Sequence, residues 1–121
     1  MSVSAGGFSA EVVGLDDDAV VFLTGELDMA TAPELHGVLD QIIEHGPQEV
    51  LLDFSALSFI DSSGIAALVD AQQRLGGQKR CLSVRGAQKG AVRVFQIAGL
   101  VDFLHVQTDH VRDAASSQAA D

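Results

Sequence analysis

Residues 59–75 read FIDSSGIAALVDAQQRL, an apolar approach that meets Asp61, Ser62, Ser63 and Gly64 and then turns into a helical pattern. Ile65, Leu68, Val69 and Leu75 form one apolar stripe, supported by Ala66, Ala67 and Ala71, and Gly76-Gly77 breaks the run. The two serines therefore open a helix. The segment before them, EVLLDFSAL at 49–57, begins as a short, nearly continuous apolar strand, the pattern of a central position covered on both faces. A strand that passes through a polar turn into an amphipathic helix is the unit from which α/β domains are built.

The flanking sequence repeats that logic. FSAEVV at 8–13 alternates like a half-buried strand, LDDD at 15–18 reads as a turn, and AVVFLTG at 19–25 reads as a second strand completing a hairpin. Thr31 to Glu34 has the Thr-x-x-Glu form of a capping box with Pro33 in the first turn, so a helix should start near Ala32. Leu35, Val38, Leu39, Ile42 and Ile43 make its apolar face, and Gly46-Pro47 ends it. RCLSVRG at 80–86 reads as a strand, AVRVFQIAG at 91–99 as a short helix, and VDFLHV at 101–106 as the strand that closes the sheet. An antiparallel hairpin followed by helical crossovers predicts a single α/β domain with a mixed sheet and helices packed against it. There is no internal repeat and no linker.

All seven Lys and Arg residues lie at or beyond Arg74, so the first 73 residues hold thirteen carboxylates and no cation within a formal net charge of -10. Such a chain is a poor ligand for nucleic acid, because a polyanion is repelled by the acidic part and the basic part lacks dense Lys/Arg with interleaved aromatics. The acids either keep the protein soluble or form a face that attracts a basic protein partner. Apolar runs such as AVVFL at 19–23 are far below the ~18 residues of a membrane span. The N-terminal residues have neither the basic nor the apolar region of a secretion signal, and the single Cys81 excludes an internal disulfide, so a cytoplasmic location is expected. Cys81 itself reads as a small buried strand residue.

Asp61-Ser62-Ser63-Gly64 does not satisfy the requirements of a nucleophile. An elbow reads Gly-x-Ser-x-Gly; Ser62 has Gly64 after it but Ile60 before it, while Ser63 is flanked by Asp61 and Ile65. No two histidines have an i, i+4 spacing, Asp16 to Asp18 lacks a calcium-loop pattern, and Gly76-Gly77 lacks the Lys and Ser/Thr of a phosphate loop. Neither catalysis nor a metal or other cofactor is expected. An N-cap explains one of the polar residues, and Asp or Ser there contributes about 1 kcal/mol. Three in a row before Gly64, a residue about 1 kcal/mol poorer than Ala in a helix, leave room for a second role. One such role is to keep the surface low for an approaching protein backbone. Another is phosphorylation, since the positive end of a helix dipole tolerates a phosphate.

FIDSSGIAAL, preceded by VLLDFSALS and further upstream by GELDMATAPEL, resembles the STAS domain of bacterial anti-sigma factor antagonists over residues 8 to about 106. The resemblance implies one STAS domain over 1–121; residues 107–121 read as a tail that is weakly helical from Thr108 or disordered, a departure from the family's C-terminal helix. It implies a non-enzymatic regulatory protein that binds an anti-sigma factor, itself a serine kinase, and thereby frees a sigma factor. Phosphorylation by that kinase releases the antagonist, and a metal-dependent serine/threonine phosphatase resets it. The implied phosphoacceptor is Ser63. Ser62 becomes its neighbour in the interface and a cap, Asp61 helps order the loop, and Asp28, the Asp of Gly-Glu-Leu-Asp, lies on the same partner-facing end with Gly64. The local alternatives are a cap for Asp61 and a turn residue for Asp28. Similar domains also serve as accessory subunits of lipid-transport ATPases and in stress-signalling scaffolds.

Overall fold

The computed structural model describes residues 2–14 and 18–107. Along the chain run β1 (Ser2–Ala5), β2 (Phe8–Val13), β3 (Asp18–Leu27), α1 (Ala32–His45), β4 (Glu49–Ile60), α2 (Ser62–Gly76), β5 (Cys81–Arg85) and α3 (Lys89–Ala98). The strands form one sheet in the order β1-β2-β3-β4-β5, antiparallel for the first two pairings and parallel for the last two. The mixed α/β sheet expected from the hairpin and crossovers is present.

Several elements differ from expectation. β1 pairs Ser2 with Glu11 through Ala5 with Phe8, and it was not anticipated because its side chains are small and at most half-buried. Its signal was the Gly6-Gly7 loop: both residues have positive φ (58° and 85°), the requirement of a two-residue hairpin turn. Asp18 belongs to β3 rather than to a turn, and residues 15–17 lie outside the described residues. The segment expected as a closing strand at 101–106 is a run of turns instead. Leu104 N–H donates to Leu100 O at 2.9 Å and Val106 N–H to Val101 O at 2.9 Å, so the chain coils to bury Leu104. It reaches the sheet through one parallel bridge, Val84 with Val106. The expected tail helix from Thr108 falls outside the described residues.

The core lies between the sheet and the helices. Val21, Leu23 and Leu27 of β3 and Leu52 and Phe54 of β4 are fully buried with Leu35 and Ile42 of α1 and Leu68 and Leu75 of α2. Phe54 meets Phe95 of α3 with ring centroids 5.9 Å apart. β4 was expected to be covered on both faces, but its opposite face is open: Leu51 is only half-buried, and Phe22 of β3, the register partner of Asp53, is 40% exposed. Asp53 on that face is closed over by Arg85, whose Nε donates to Oδ2 at 2.8 Å. Burial pulls the Asp53 carboxyl upward, but the Ser55 N–H and the Arg85 guanidinium outweigh it and hold the group below its usual value. Cys81 is half-buried, and that burial pushes its thiol up.

Two buried polar side chains finish backbone that the elements leave open. Gln72 of α2 pairs with Leu82 of β5 as a strand would, accepting from its N–H at 2.9 Å and donating to its carbonyl at 2.8 Å, and also donates to Phe103 O at 2.8 Å. Arg80 caps the end of α1, donating to Pro47 O at 2.8 Å and Ile43 O at 3.1 Å. Its charge also suits the negative end of the helix dipole. Truncation strands those carbonyls in a site where Arg80 is 8% exposed. Arg80→Ala is therefore expected to lower unfolding free energy by about 2–3 kcal/mol in urea titrations, against less than about 0.5 kcal/mol for Gln73→Ala on the exposed side of α2.

Candidate functional site at the carboxyl ends of β3 and β4

The parallel register of β3 and β4 ends on Glu26 with Phe59 and Leu27 with Ile60. One further hydrogen bond, from Asp61 N–H to Leu27 O at 3.1 Å, carries the pairing past the strands. The loop from Asp28 to Thr31 and the start of α2 consequently lie side by side. Asp28, Asp61, Ser62, Ser63 and Gly64 occupy one end of the molecule.

Asp61 is the N-cap of α2. Its extended backbone (φ -116°, ψ -170°) turns the side chain back so that Oδ1 accepts from Ser63 N–H at 2.9 Å and Gly64 N–H at 3.4 Å. Of the cap readings at Asp61 and Ser62, the one at Asp61 is present, and Ser62 is exposed as the first helical residue. Ser63 is half-buried, and neither serine hydroxyl is hydrogen-bonded to protein among the described residues. Folding uses the Ser63 backbone and leaves its Oγ unengaged. No histidine reaches either hydroxyl among the described residues, so the constellation of an activated serine is not formed there. No group of three His, Cys, Asp or Glu suited to a metal occurs among the described residues either.

Gly64 was expected to keep the outer surface low, but it is buried and faces inward. A Cβ on it would lie 2.7 Å from Leu27 Cγ and 3.0 Å from Ile60 Cγ1. The glycine lets α2 begin directly on the last residues of both strands.

The expected capping box at Thr31 is not formed. Thr31 is 2% exposed, and its side chain turns away from the helix. Its hydroxyl donates to Glu26 O at 2.9 Å and accepts from Asp28 N–H at 2.9 Å. Asp28 holds the turn ahead of the helix: Oδ1 accepts from Ala30 N–H at 3.0 Å and Thr31 N–H at 3.1 Å, while its carbonyl accepts from Ala32 N–H, the first of α1, at 2.7 Å. The turn role of Asp28 is therefore present, and the carboxylate is half-buried in it. Two exposed apolar side chains escaped the sequence reading here, Met29 at 77% and Phe59 at 50% exposure. Met29 lay inside the quoted GELDMATAPEL, but a lone Met between polar residues gives no periodicity to mark it.

A family model described as "Mlab, STAS domain" matches residues 11–107. The chain belongs to the STAS-domain family. This STAS domain is 33% identical over 96 residues to an anti-sigma-B factor antagonist of Staphylococcus epidermidis, covering 79% of the chain and 89% of that relative. Its structure is similar to that of an anti-sigma factor antagonist from Mycobacterium paratuberculosis, with TM-score 0.76, 26% identity and coverage of 93% and 97% of the two chains. Bacillus SpoIIAA in its phosphorylated form shares the fold at TM-score 0.64 and 23% identity, with 89% and 98% covered. No helix among the described residues of this STAS domain is long and apolar enough to cross a membrane.

Separate costs follow for the two ends of the motif. Asp61→Ala is expected to lose about 1 kcal/mol of stability, the usual worth of an N-cap. Gly64→Ala forces a methyl against fully buried Leu27 and is expected to cost up to about 3 kcal/mol. Urea melts of the two variants check the order; a neutral Gly64→Ala would mean that α2 is not seated on Leu27.

Proposed function

We propose that this STAS domain is an anti-sigma factor antagonist switched at Ser63. Unphosphorylated, it binds an anti-sigma factor that is also a serine kinase, and the sigma factor is released. Phosphorylation of Ser63 by that kinase dissociates the pair, and a serine/threonine phosphatase restores the hydroxyl. The protein is a regulatory binding partner in the cytoplasm, and the ATP and catalytic groups belong to the kinase. Asp28, Asp61, Ser62 and Gly64 hold or border the contact.

The observation that carries this reading is the placement of Ser63. Its N–H is tied to Asp61 at the first turn of a 15-residue helix, and its hydroxyl has no role in holding the fold. A phosphate there meets the positive end of α2, so the fold accepts the modification. A docked protein does not, because a hydrated dianion cannot be enclosed against a close-fitting surface without a compensating partner. The relatedness to an anti-sigma-B factor antagonist and the phosphorylated state of SpoIIAA support the same reading.

Capture from the source cell with wild-type and Ser63→Glu baits tests it, with bound proteins identified by mass spectrometry. Wild type is expected to hold a small kinase-like protein that Ser63→Glu loses, while the circular dichroism of the two baits coincides. Recovery of the same transporter ATPase or scaffold by both baits would replace the switch with an accessory-subunit role.

A further inference from the structure

Met29 sits in a loop that is held from within. Asp28 N–H donates to Thr31 Oγ1 at 2.9 Å, and the Asp28 carboxylate accepts from Ala30 and Thr31 at 3.0 and 3.1 Å, so the backbone on both sides of Met29 is fixed. Thr31 is anchored in turn to Glu26 O at 2.9 Å. A single exposed apolar residue is ordinary on a protein surface. A methionine that is 77% exposed on a locked loop, at the strand ends that also carry the start of α2, is a different situation. The loop cannot fold the side chain back onto its own core, and binding it costs little backbone entropy. Its unbranched thioether adapts to the shape of a receiving pocket.

The surroundings of Met29 are acidic. Glu26 is exposed; Asp28, Glu34 and Asp61 are half-buried around the same strand ends. No Lys or Arg occurs in the first 73 residues, which include β3, β4 and both loops described above; the basic residue nearest in the fold is Lys89 at the start of α3, whose neighbours Gln88 and Gly90 line a hollow with Phe59 and Ile60. The ion pairs of Arg74 are made with Asp40 and Asp70, away from it along the helices. Phe59, paired in register with Glu26, adds a second exposed apolar side chain.

We propose that Met29 is the anchor of the partner contact, inserted into an apolar pocket on the anti-sigma factor whose rim carries Lys and Arg. This rests on the antagonist reading and specifies the surface that the reading requires. The apolar seat supplies affinity, the acidic ring supplies orientation and association rate, and Ser63 stands at its border. A phosphate on Ser63 places a strongly hydrated group beside an apolar seat that must be dry.

The test titrates purified anti-sigma factor calorimetrically into wild type, Met29→Ala, Met29→Leu, Met29→Lys and Ser63→Glu. Met29→Ala is expected to weaken binding about tenfold or more, and Met29→Leu to stay within about threefold. Met29→Lys is expected to abolish binding, with unfolding midpoints unchanged across the Met29 series. Wild-type affinity should fall as sodium chloride is raised. If Met29→Ala binds like wild type while Ser63→Glu does not bind, the anchor is wrong and the antagonist reading stands. If wild type itself does not bind the anti-sigma factor, both fail.

Discussion

The parallel pairing of β3 with β4 is the constraint on which the functional end depends. It stops at Leu27 and Ile60, is extended by the bond from Asp61 N–H to Leu27 O, and is sealed by Gly64 lying against Leu27. Two loops distant in sequence become one surface through that contact. The apolar stripe of α2 then fixes the helix direction, and the direction decides that the N-terminal, positive end of α2 and Ser63 lie at the same end. Both loops are rigid because an aspartate in each, Asp28 and Asp61, bonds backbone N–H groups of the turn that follows.

This arrangement separates what folding needs from what the proposed switch needs. The cap on α2 is made by Asp61 through backbone atoms of Ser63 and Gly64, so the Ser63 hydroxyl can change state without removing a hydrogen bond of the fold. The charge distribution works with that separation. In the proposed switch, the carboxylates of this end attract a basic surface from a distance, whereas the decision to stay bound is made at contact range, where a phosphate competes with apolar packing for the same small area. Long-range attraction and short-range exclusion need not agree in sign.

Much of this was legible in the sequence, for a physical reason. Periodicity marked α1, α2, β2 and most of β3 and β4, because those segments pack one face against a single core, and β5 and α3 were marked by similar short patterns. The Asp-Ser-Ser-Gly turn was placed correctly at a helix start. What failed were assignments resting on side-chain hydrogen bonds, since a sequence names the donors and acceptors but not which of them meet. Thr31 looked like a cap and instead bonds to Glu26; of the two residues read as caps of α2, Asp61 serves and Ser62 does not. Alternation at 101–106 suggested a strand, yet Leu104 is buried by a coil of turns whose contact with β5 is one bridge. Gln72 and Arg80 gave no warning, because a polar residue that substitutes for missing backbone partners has no pattern of its own. Gly64 was noticed for the wrong face.

In the proposed switch, Ser63 changes binding without changing the fold. Protein carrying phosphoserine at position 63 tests it most directly, through its amide NMR spectrum and its affinity for the anti-sigma factor beside the unmodified chain. Shifts confined to the Asp28–Thr31 loop and the first turn of α2 are expected, together with loss of binding. Shifts spread through the sheet, or a phosphorylated protein that binds as tightly as the unmodified one, would contradict it.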